Sequence, residues 1–117
     1  MRKDIERRLI NLSLEINKLC KHLDDSYLSK HLTWQVIRSS TSAALNYGEV
    51  QGAESRNDFI HKNGVVLKEL RETKISLLLI DGTISSNDLE VLSFCLDECD
   101  QLVAIFHRTV MTLKQGR

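Results

Sequence analysis

The C-terminal part of the chain carries apolar residues at an unbroken helical spacing. The gaps between successive apolar residues alternate between three and four, which places them all along one side of an α-helix. These residues are Leu89, Leu92, Leu96, Cys99, Val103, Phe106, Val110 and Leu113. A strand would instead require alternation every second residue. A strict three–four spacing also favours nearly parallel packing against neighbouring helices.

Two further helices are predicted before the middle of the chain. The first has a seam with the same alternating spacing, and Asp24-Asp25-Ser26 interrupts it. The seam comprises Ile5, Leu9, Leu12, Ile16, Leu19 and Leu23. The second helix is expected from about Leu28 to about Gln51 and is the least regular. Its middle is rich in small residues, namely Ser39, Ser40, Ser42, Ala43 and Ala44.

Start and stop signals delimit the remaining helices. Ser55 with Asp58 three positions later is a helix N-cap pattern, so a third helix is expected through Phe59 to about Ile80. Asp81-Gly82 ends it. Ser85-Ser86-Asn87-Asp88 then predicts the cap of the fourth helix.

The fold class follows from these four helices and from the lack of turn residues. The chain has no proline and only five glycines among 117 residues, so it has few turns. Helices of about 20 to 30 residues with short connections predict an antiparallel up-down-up-down four-helix bundle. We expect one all-α domain spanning residues 1–117.

Composition restricts the environment of the protein. Sixteen basic residues balance sixteen acidic ones, and the hydrophobic fraction of 42 % is that of a folded protein. No uncharged run approaches the length of a membrane span, and the N-terminus has no apolar core typical of a signal peptide. Three cysteines without a secretory signal favour free thiols. We therefore expect a cytoplasmic protein that does not enter membranes.

The sequence offers little support for an enzyme. A di-iron bundle needs Glu-x-x-His pairs, and only Asp58 with His61 approximates one. Phosphate-binding and dinucleotide-binding loops and the nucleophile elbow are absent from the sequence. Neither a catalytic constellation nor a cofactor is predicted.

The function that the sequence favours is a non-catalytic scaffold or binding module, and two cysteines provide the alternative to it. Cys95 and Cys99 stand four apart on one helix face and could supply half of a zinc site. A second pair of ligands is lacking, so core packing is the favoured interpretation and no metal ligand is assigned. The alternative function is a metal-binding or small-ligand-binding bundle that uses these thiols and nearby acids.

Nucleic-acid binding would depend on the third helix. It is mildly basic whereas the fourth helix is acidic, and binding to phosphates requires a concentrated basic face. The candidate residues are Arg56, Lys62, Lys68, Arg71 and Lys74. Repeated around a ring of subunits, this helix could provide such a face, whereas the residues alone favour a solvated helix face.

Apolar residues beyond the four seams point to self-association. The fourth helix has a second apolar row beside its first, and the other helices add more apolar residues than a small core accommodates. These residues are Val91, Cys95, Leu102 and Ile105, then Ile60, Leu67 and Leu78, then Ile10 and Leu14. We expect some of them to meet another subunit, and the other interpretation is a wide core face within one chain.

Residues 37–80 resemble the signature of the bacterial four-helix bundle family of 23S rRNA intervening-sequence (S23-type) proteins. Five segments carry the resemblance in order: Arg38–Ser42, Asn46 with Glu49, Ala53–Ser55, Asp58–Ile60 and Leu67–Thr73. The first and fourth helices match only in length and seam.

The resemblance implies an assembly and a range of partners. Members of the family form homopentameric rings, and most have no established biochemical activity. A related branch, the accessory variability proteins of diversity-generating retroelements, binds a reverse transcriptase and RNA. The resemblance therefore implies a homopentamer whose partner is RNA, a nucleic-acid enzyme or another protein. Retroelement members are basic whereas this chain is neutral.

The polar residues of the signature lie on the second and third helices, which are neighbours in the predicted bundle. They are Arg38, Asn46, Glu49, Glu69 and Glu72. We expect Arg38 to pair with Glu69 or Glu72 and so fix the register of the two helices. The other interpretation makes this group a binding site at a subunit interface.

Overall fold

Four α-helices follow one another in the computed structural model, which describes residues 2–83 and 89–116. Their bounds are α1 Arg2–Cys20, α2 Tyr27–Val50, α3 Arg56–Asp81 and α4 Leu89–Lys114. The described residues contain no strand, and the all-α four-helix prediction is confirmed. The predicted Ser85–Asp88 cap and the side chain of Leu89 lie outside the described residues.

Side-chain caps set the observed helix starts. The Ser26 hydroxyl accepts a hydrogen bond from the Ser29 backbone N–H at 3.1 Å and begins α2. The Ser55 hydroxyl accepts from the Asp58 N–H at 3.0 Å and begins α3, as predicted. At the other end of α3, Gly82 N donates to the Leu78 carbonyl. Such bonds satisfy backbone groups that lack partners within the helix.

Each helix packs against the next one in sequence, and α1 also packs against α4. The four helices therefore form a closed bundle with extents of 46 × 22 × 22 Å. The contact between α2 and α3 is the most extensive. Because this bundle is about twice as long as it is wide, most of its lateral surface consists of helix faces.

The core occupies the centre of the bundle along its whole length. On α4, the buried stripe combines residues of the predicted seam with residues of the second apolar row beside it. The buried residues of that stripe are Leu92, Cys95, Cys99, Leu102, Phe106 and Val110. Leu96 and Val103 of the predicted seam are only half-buried. The predicted seam is thus rotated from the true core face, because a strict 3.5-residue repeat drifts around a helix of 3.6 residues per turn.

Only some of the apolar residues outside the predicted seams remain available for contact with another subunit. Cys95, Leu102 and Leu67 are buried inside the bundle and complete its own core. Ile10, Leu14 and Leu78 remain 46 to 57 % exposed, as the prediction of surplus apolar surface requires.

The small residues of α2 face the core. Ser39, Ser40 and Ala43 are almost completely buried. Each serine hydroxyl reaches back to a backbone carbonyl three residues earlier, so its polar atom is satisfied inside its own helix. Small side chains let two helix backbones approach closely, which agrees with the extensive contact between α2 and α3.

Candidate functional site

An ion-pair cluster joins α2 to α3 at the position that the sequence predicts. Arg38 Nη1 lies 3.2 Å from Glu69 Oε2, and Arg38 Nη2 lies 2.7 Å from Glu72 Oε1. The guanidinium donates one hydrogen bond to each carboxylate. The contact of Arg38 with both glutamates is therefore present, and its role in register or in binding stays a prediction.

Glu69 is the buried member of this cluster. Its side chain is only 6 % exposed, whereas the Arg38 side chain is 36 % exposed. Lys68 Nζ also approaches the other carboxylate oxygen of Glu69 at 3.8 Å. A carboxylate withdrawn from water needs such partners, because unpaired burial of a charge is strongly unfavourable.

The two remaining signature residues extend the cluster along α2. Asn46 and Glu49 line, together with Arg38, a shallow cleft of about 410 Å³. Asn46 Nδ2 donates to the Ser42 carbonyl at 2.8 Å and to the Ser42 hydroxyl at 3.0 Å, so its amide group is tied to its own helix. The structure thus brings Arg38, Glu69 and Glu72 into contact and places Asn46 and Glu49 beside them.

The five basic residues of α3 do not form one stripe. Lys74 and Arg71 point toward α4, where Lys74 pairs with Asp100 and Arg71 Nη2 donates to His107 Nδ1 at 3.1 Å. Arg56 also points toward α4, and its Nη2 donates to the Leu113 carbonyl at 2.9 Å. Lys62 Nζ is instead 3.7 Å from Asp58 on α3 itself.

Their distribution follows from helix geometry. Successive residues turn by about 100°, so Lys62 falls on a different side of α3 from Arg56 and Lys74. Each of the five candidates has an internal partner, including Lys68 with Glu69. Within the described residues, α3 therefore does not present the concentrated basic face that phosphate binding requires.

The cysteines belong to the core. Cys95 and Cys99 are completely buried, and the Cys99 thiol donates to the Leu70 carbonyl. Burial raises the pKa of each thiol to about 12, which keeps both protonated at neutral pH. Cys20 is half-buried, and burial also raises its pKa.

The burial of Cys95 and Cys99 agrees with the core-packing interpretation rather than with the metal alternative. Metal ligands must be deprotonated thiols, neutral imidazoles or carboxylates. Residues 2–83 and 89–116 contain no group of three His, Cys, Asp or Glu side chains arranged to hold a metal ion.

The structure also shows contacts that sequence reasoning missed. Arg8 of α1 makes a two-pronged hydrogen bond to Glu98 of α4, with Nε and Nη2 at 2.9 and 2.8 Å from the two carboxylate oxygens. A proximity of residues 90 positions apart has no local signal in the sequence. The buried pair of Ser39 and Thr73 was likewise not predicted, although both residues lie within the signature.

Gly64 is a second missed feature. It lies in the interior of α3, and a Cβ atom added to it would have no neighbour within 4 Å. A glycine inside a predicted helix is the available sequence signal, because glycine is unfavourable there without a packing reason.

None of the helices in the described part of the chain is long and apolar enough to cross a membrane.

Comparison with known proteins gives a similarity to a solved structure. No protein-family model matches the sequence, and neither does any curated protein. A crystal structure from Bacteroides thetaiotaomicron, titled a protein with unknown function from the S23 ribosomal protein family, is similar at a TM-score of 0.76. The two chains are 26 % identical over 95 % of this chain and 99 % of the other. This similarity supports the resemblance to the S23-type family and carries no information on retroelements.

Proposed function

We propose that this chain is an S23-type, non-catalytic bundle of one domain, residues 1–117, that assembles with copies of itself in the cytoplasm and acts as a scaffold or binding module. The outer face of α2 carries the proposal. Trp34 is 62 % exposed and Leu45 is 72 % exposed. Large apolar side chains gathered on a surface are typical of interaction sites.

The spacing of α2 places these two residues on one stripe. Trp34, Thr41, Leu45 and Gly48 follow at intervals of seven, four and three, which align along a helix. Gly48 lies within α2, and a Cβ atom there would meet nothing within 4 Å. An exposed tryptophan and leucine beside a small, open position fit a surface against which another helix packs closely.

Other helices add exposed apolar residues to the outside of the bundle. The exposed fraction of the side chain is 48 % for Ile10 and 57 % for Leu14, which are neighbours on α1. The bundle core is already filled by residues of all four helices, so these residues have no place inside it. They support an assembly, and the S23-type resemblance suggests a homopentamer.

A catalytic role has no support in the described part of the chain. The polar contacts between α2 and α3 there join helices to one another: Arg38 with Glu69 and Glu72, and Ser39 with Thr73. The Cys95 and Cys99 thiols are protonated and buried, which makes them poor nucleophiles. A protein that presents surfaces agrees better with these contacts than an enzyme does.

Size-exclusion chromatography with light scattering tests the assembly. We expect a mass several times the 13.4 kDa of one chain, and five times that mass for the proposed pentamer. Trp34→Glu combined with Leu45→Glu should reduce the mass toward that of one chain, because charges would be buried at the contact. Met111→Glu, at a 45 % exposed position of α4, is the matched control and should leave the mass unchanged.

The same chromatogram reports on nucleic acid. Absorbance at 260 nm in excess of a protein spectrum would identify RNA or DNA as a partner of the assembly. A clean protein spectrum at the oligomeric mass would retain the scaffold and exclude tight nucleic-acid binding. A monomeric wild-type protein would show the assembly proposal to be wrong.

A further inference from the structure

A continuous furrow runs along the outer side of α3. It consists of two clefts, of about 600 and 450 Å³, which share Gly64, Lys68, Val110 and Lys114. One end reaches Asn57 and the other reaches Ser76. At 1.5 Å per residue this span of α3 is about 30 Å long, enough for a partner helix of about 20 residues.

Gly64 opens the middle of this furrow. Any other residue would place a side chain there, and glycine is the least favourable helix-interior residue after proline. No atom of the bundle lies close enough to Gly64 to require the absence of a side chain. The fold itself therefore gives no reason for this glycine, whereas a partner that approaches the α3 backbone does.

The floor of the furrow is apolar. Leu67 and Val110 lie along it with 6 % of their surface exposed, and Ile75 stands at its side with 58 % exposed. An apolar floor supplies neither positive charge nor hydrogen-bond donors to a phosphate backbone. It favours the apolar side of an amphipathic helix, which inserts anchors at intervals of three and four residues.

The rim of the furrow is positively charged. Lys68, Arg71 and Lys114 line it. Lys68 Nζ lies 3.8 Å from Glu69, whereas Lys114 has no ion-pair partner in the part of the chain that the structure describes. The hydrogen bond of Arg71 to the His107 ring leaves its charge without an anionic partner. The one carboxylate in the larger cleft, Glu72, is bound by Arg38. The rim therefore has excess positive charge.

We propose that this α3 furrow binds an acidic amphipathic helix of another protein, whose apolar side lies over Gly64 and whose carboxylates meet Lys68, Arg71 and Lys114. The inference rests on the proposed function, because it names the partner class of the binding module. Charge complementarity favours the acidic helix over a neutral or basic one.

Three labelled peptides of about 20 residues test the charge preference on the full chain. They share one leucine stripe and carry Glu, Gln or Lys on the remaining face, and fluorescence anisotropy measures their binding. We expect the Glu peptide to bind about tenfold more tightly than the Gln peptide, and the Lys peptide to bind most weakly. An equal affinity for all three, or no binding of the Glu peptide, would overturn the proposal.

Variants locate the binding site. Gly64→Trp should fill the furrow and weaken binding of the Glu peptide at least about tenfold, and Lys68→Gln with Lys114→Gln should remove its advantage over the Gln peptide. Ala104→Trp, at an exposed position of α4 that lines neither cleft, serves as the control outside the furrow. If Gly64→Trp left the affinity unchanged, the furrow would not be the site. An RNA oligonucleotide that binds in place of the Glu peptide would overturn the partner class.

Light scattering on the Gly64→Trp protein separates this inference from the assembly. An unchanged oligomer that has lost peptide binding supports both proposals. An unchanged wild-type oligomer that never binds the Glu peptide overturns the furrow proposal and leaves the assembly intact. Dissociation of the oligomer by Gly64→Trp alone would show that a second copy occupies the furrow and would overturn the proposed partner.

Discussion

The Ser39 and Thr73 hydroxyl oxygens lie 2.7 Å apart in the interior of the bundle, where 1 % of Ser39 and none of Thr73 is exposed. Thr73 Oγ1 also lies 2.8 Å from the Glu69 carbonyl oxygen. Each hydroxyl has one proton and each also lies within reach of a carbonyl of its own helix, Val36 for Ser39 and Glu69 for Thr73, so either hydroxyl can be the donor in this pair. The pair links α2 to the turn of α3 that carries Glu69.

A double-mutant cycle should show that Ser39 and Thr73 act together. Ser39→Ala and Thr73→Val should each lower the free energy of unfolding by about 1 kcal/mol, since each removes a buried hydrogen bond. The double variant should cost less than the sum of the two, because it leaves no hydroxyl without its partner. Urea unfolding measures all four proteins. Strictly additive changes would contradict the coupling.

Substitution of Arg38 should lower the stability of the bundle more than substitution of the exposed Arg7. Arg38→Met should lower the free energy of unfolding by about 2 kcal/mol, because it leaves the buried Glu69 carboxylate with Lys68 as its remaining cation. Exposure of part of the Arg38 side chain keeps the cost below that of a fully buried pair.

Arg7→Met is the matched control for Arg38→Met. Arg7 lies 4.0 Å from Asp4, with 80 and 71 % of the two side chains exposed, so its removal should change stability little. Urea midpoints and light-scattering masses compare the two variants. Equal midpoints, together with an unchanged mass, would argue against a role of Arg38 in fixing the register of α2 and α3.

Replacement of either of two helix glycines by alanine should stabilise the chain. Gly48→Ala and Gly64→Ala should each raise the free energy of unfolding of the dissociated chain by about 0.5 to 1 kcal/mol, since alanine is the better helix former and its methyl group meets no atom. Ala104→Gly, at an exposed position inside α4, should have the opposite effect of similar size. Thermal unfolding at concentrations below assembly measures all three. A loss of stability in either alanine variant would mean that the space beside that glycine is not open.

The buried thiols predict a loss of stability at alkaline pH. The pKa of Cys95 and of Cys99 is raised by burial from 9.0 to about 12 in the folded chain. As the pH rises, the thiols of the unfolded chain therefore lose their protons before the thiols of the folded chain do. The contribution of the two thiols to the free energy of unfolding is complete below pH 9 and falls as the pH rises toward 12. Urea unfolding across this range measures the slope. Cys99→Ala should make it shallower, and an identical slope in that variant would contradict the assignment.

Helix positions could be predicted because their signals are local. The Ser55 and Asp58 cap, the stop at Asp81-Gly82 and the apolar spacing all depend on residues within a few positions of one another. The pairing of Arg38 with Glu69 or Glu72 could also be predicted, since consecutive antiparallel helices restrict which residues can meet.

The rotation of each helix about its axis could not be predicted in the same way. Cys95 and Leu96 are adjacent in sequence, both are apolar, and only packing against the other three helices decides that Cys95 is the fully buried one. The same uncertainty affected the basic residues of α3. Their distances from α4 depend on that rotation, so their partners Asp100 and His107 were not foreseen.

The Arg8–Glu98 contact has a consequence for the order of folding. The other interhelical contacts described above join helices consecutive in the chain, whereas this one joins residues 90 positions apart and closes the bundle. Bringing distant segments together has the largest loop-closure entropy, and that cost precedes any gain from the contact. We expect the α1–α4 seam to form after the α2–α3 pair during refolding. Amide hydrogens of α1 should then exchange through a partial opening that leaves α2 and α3 protected.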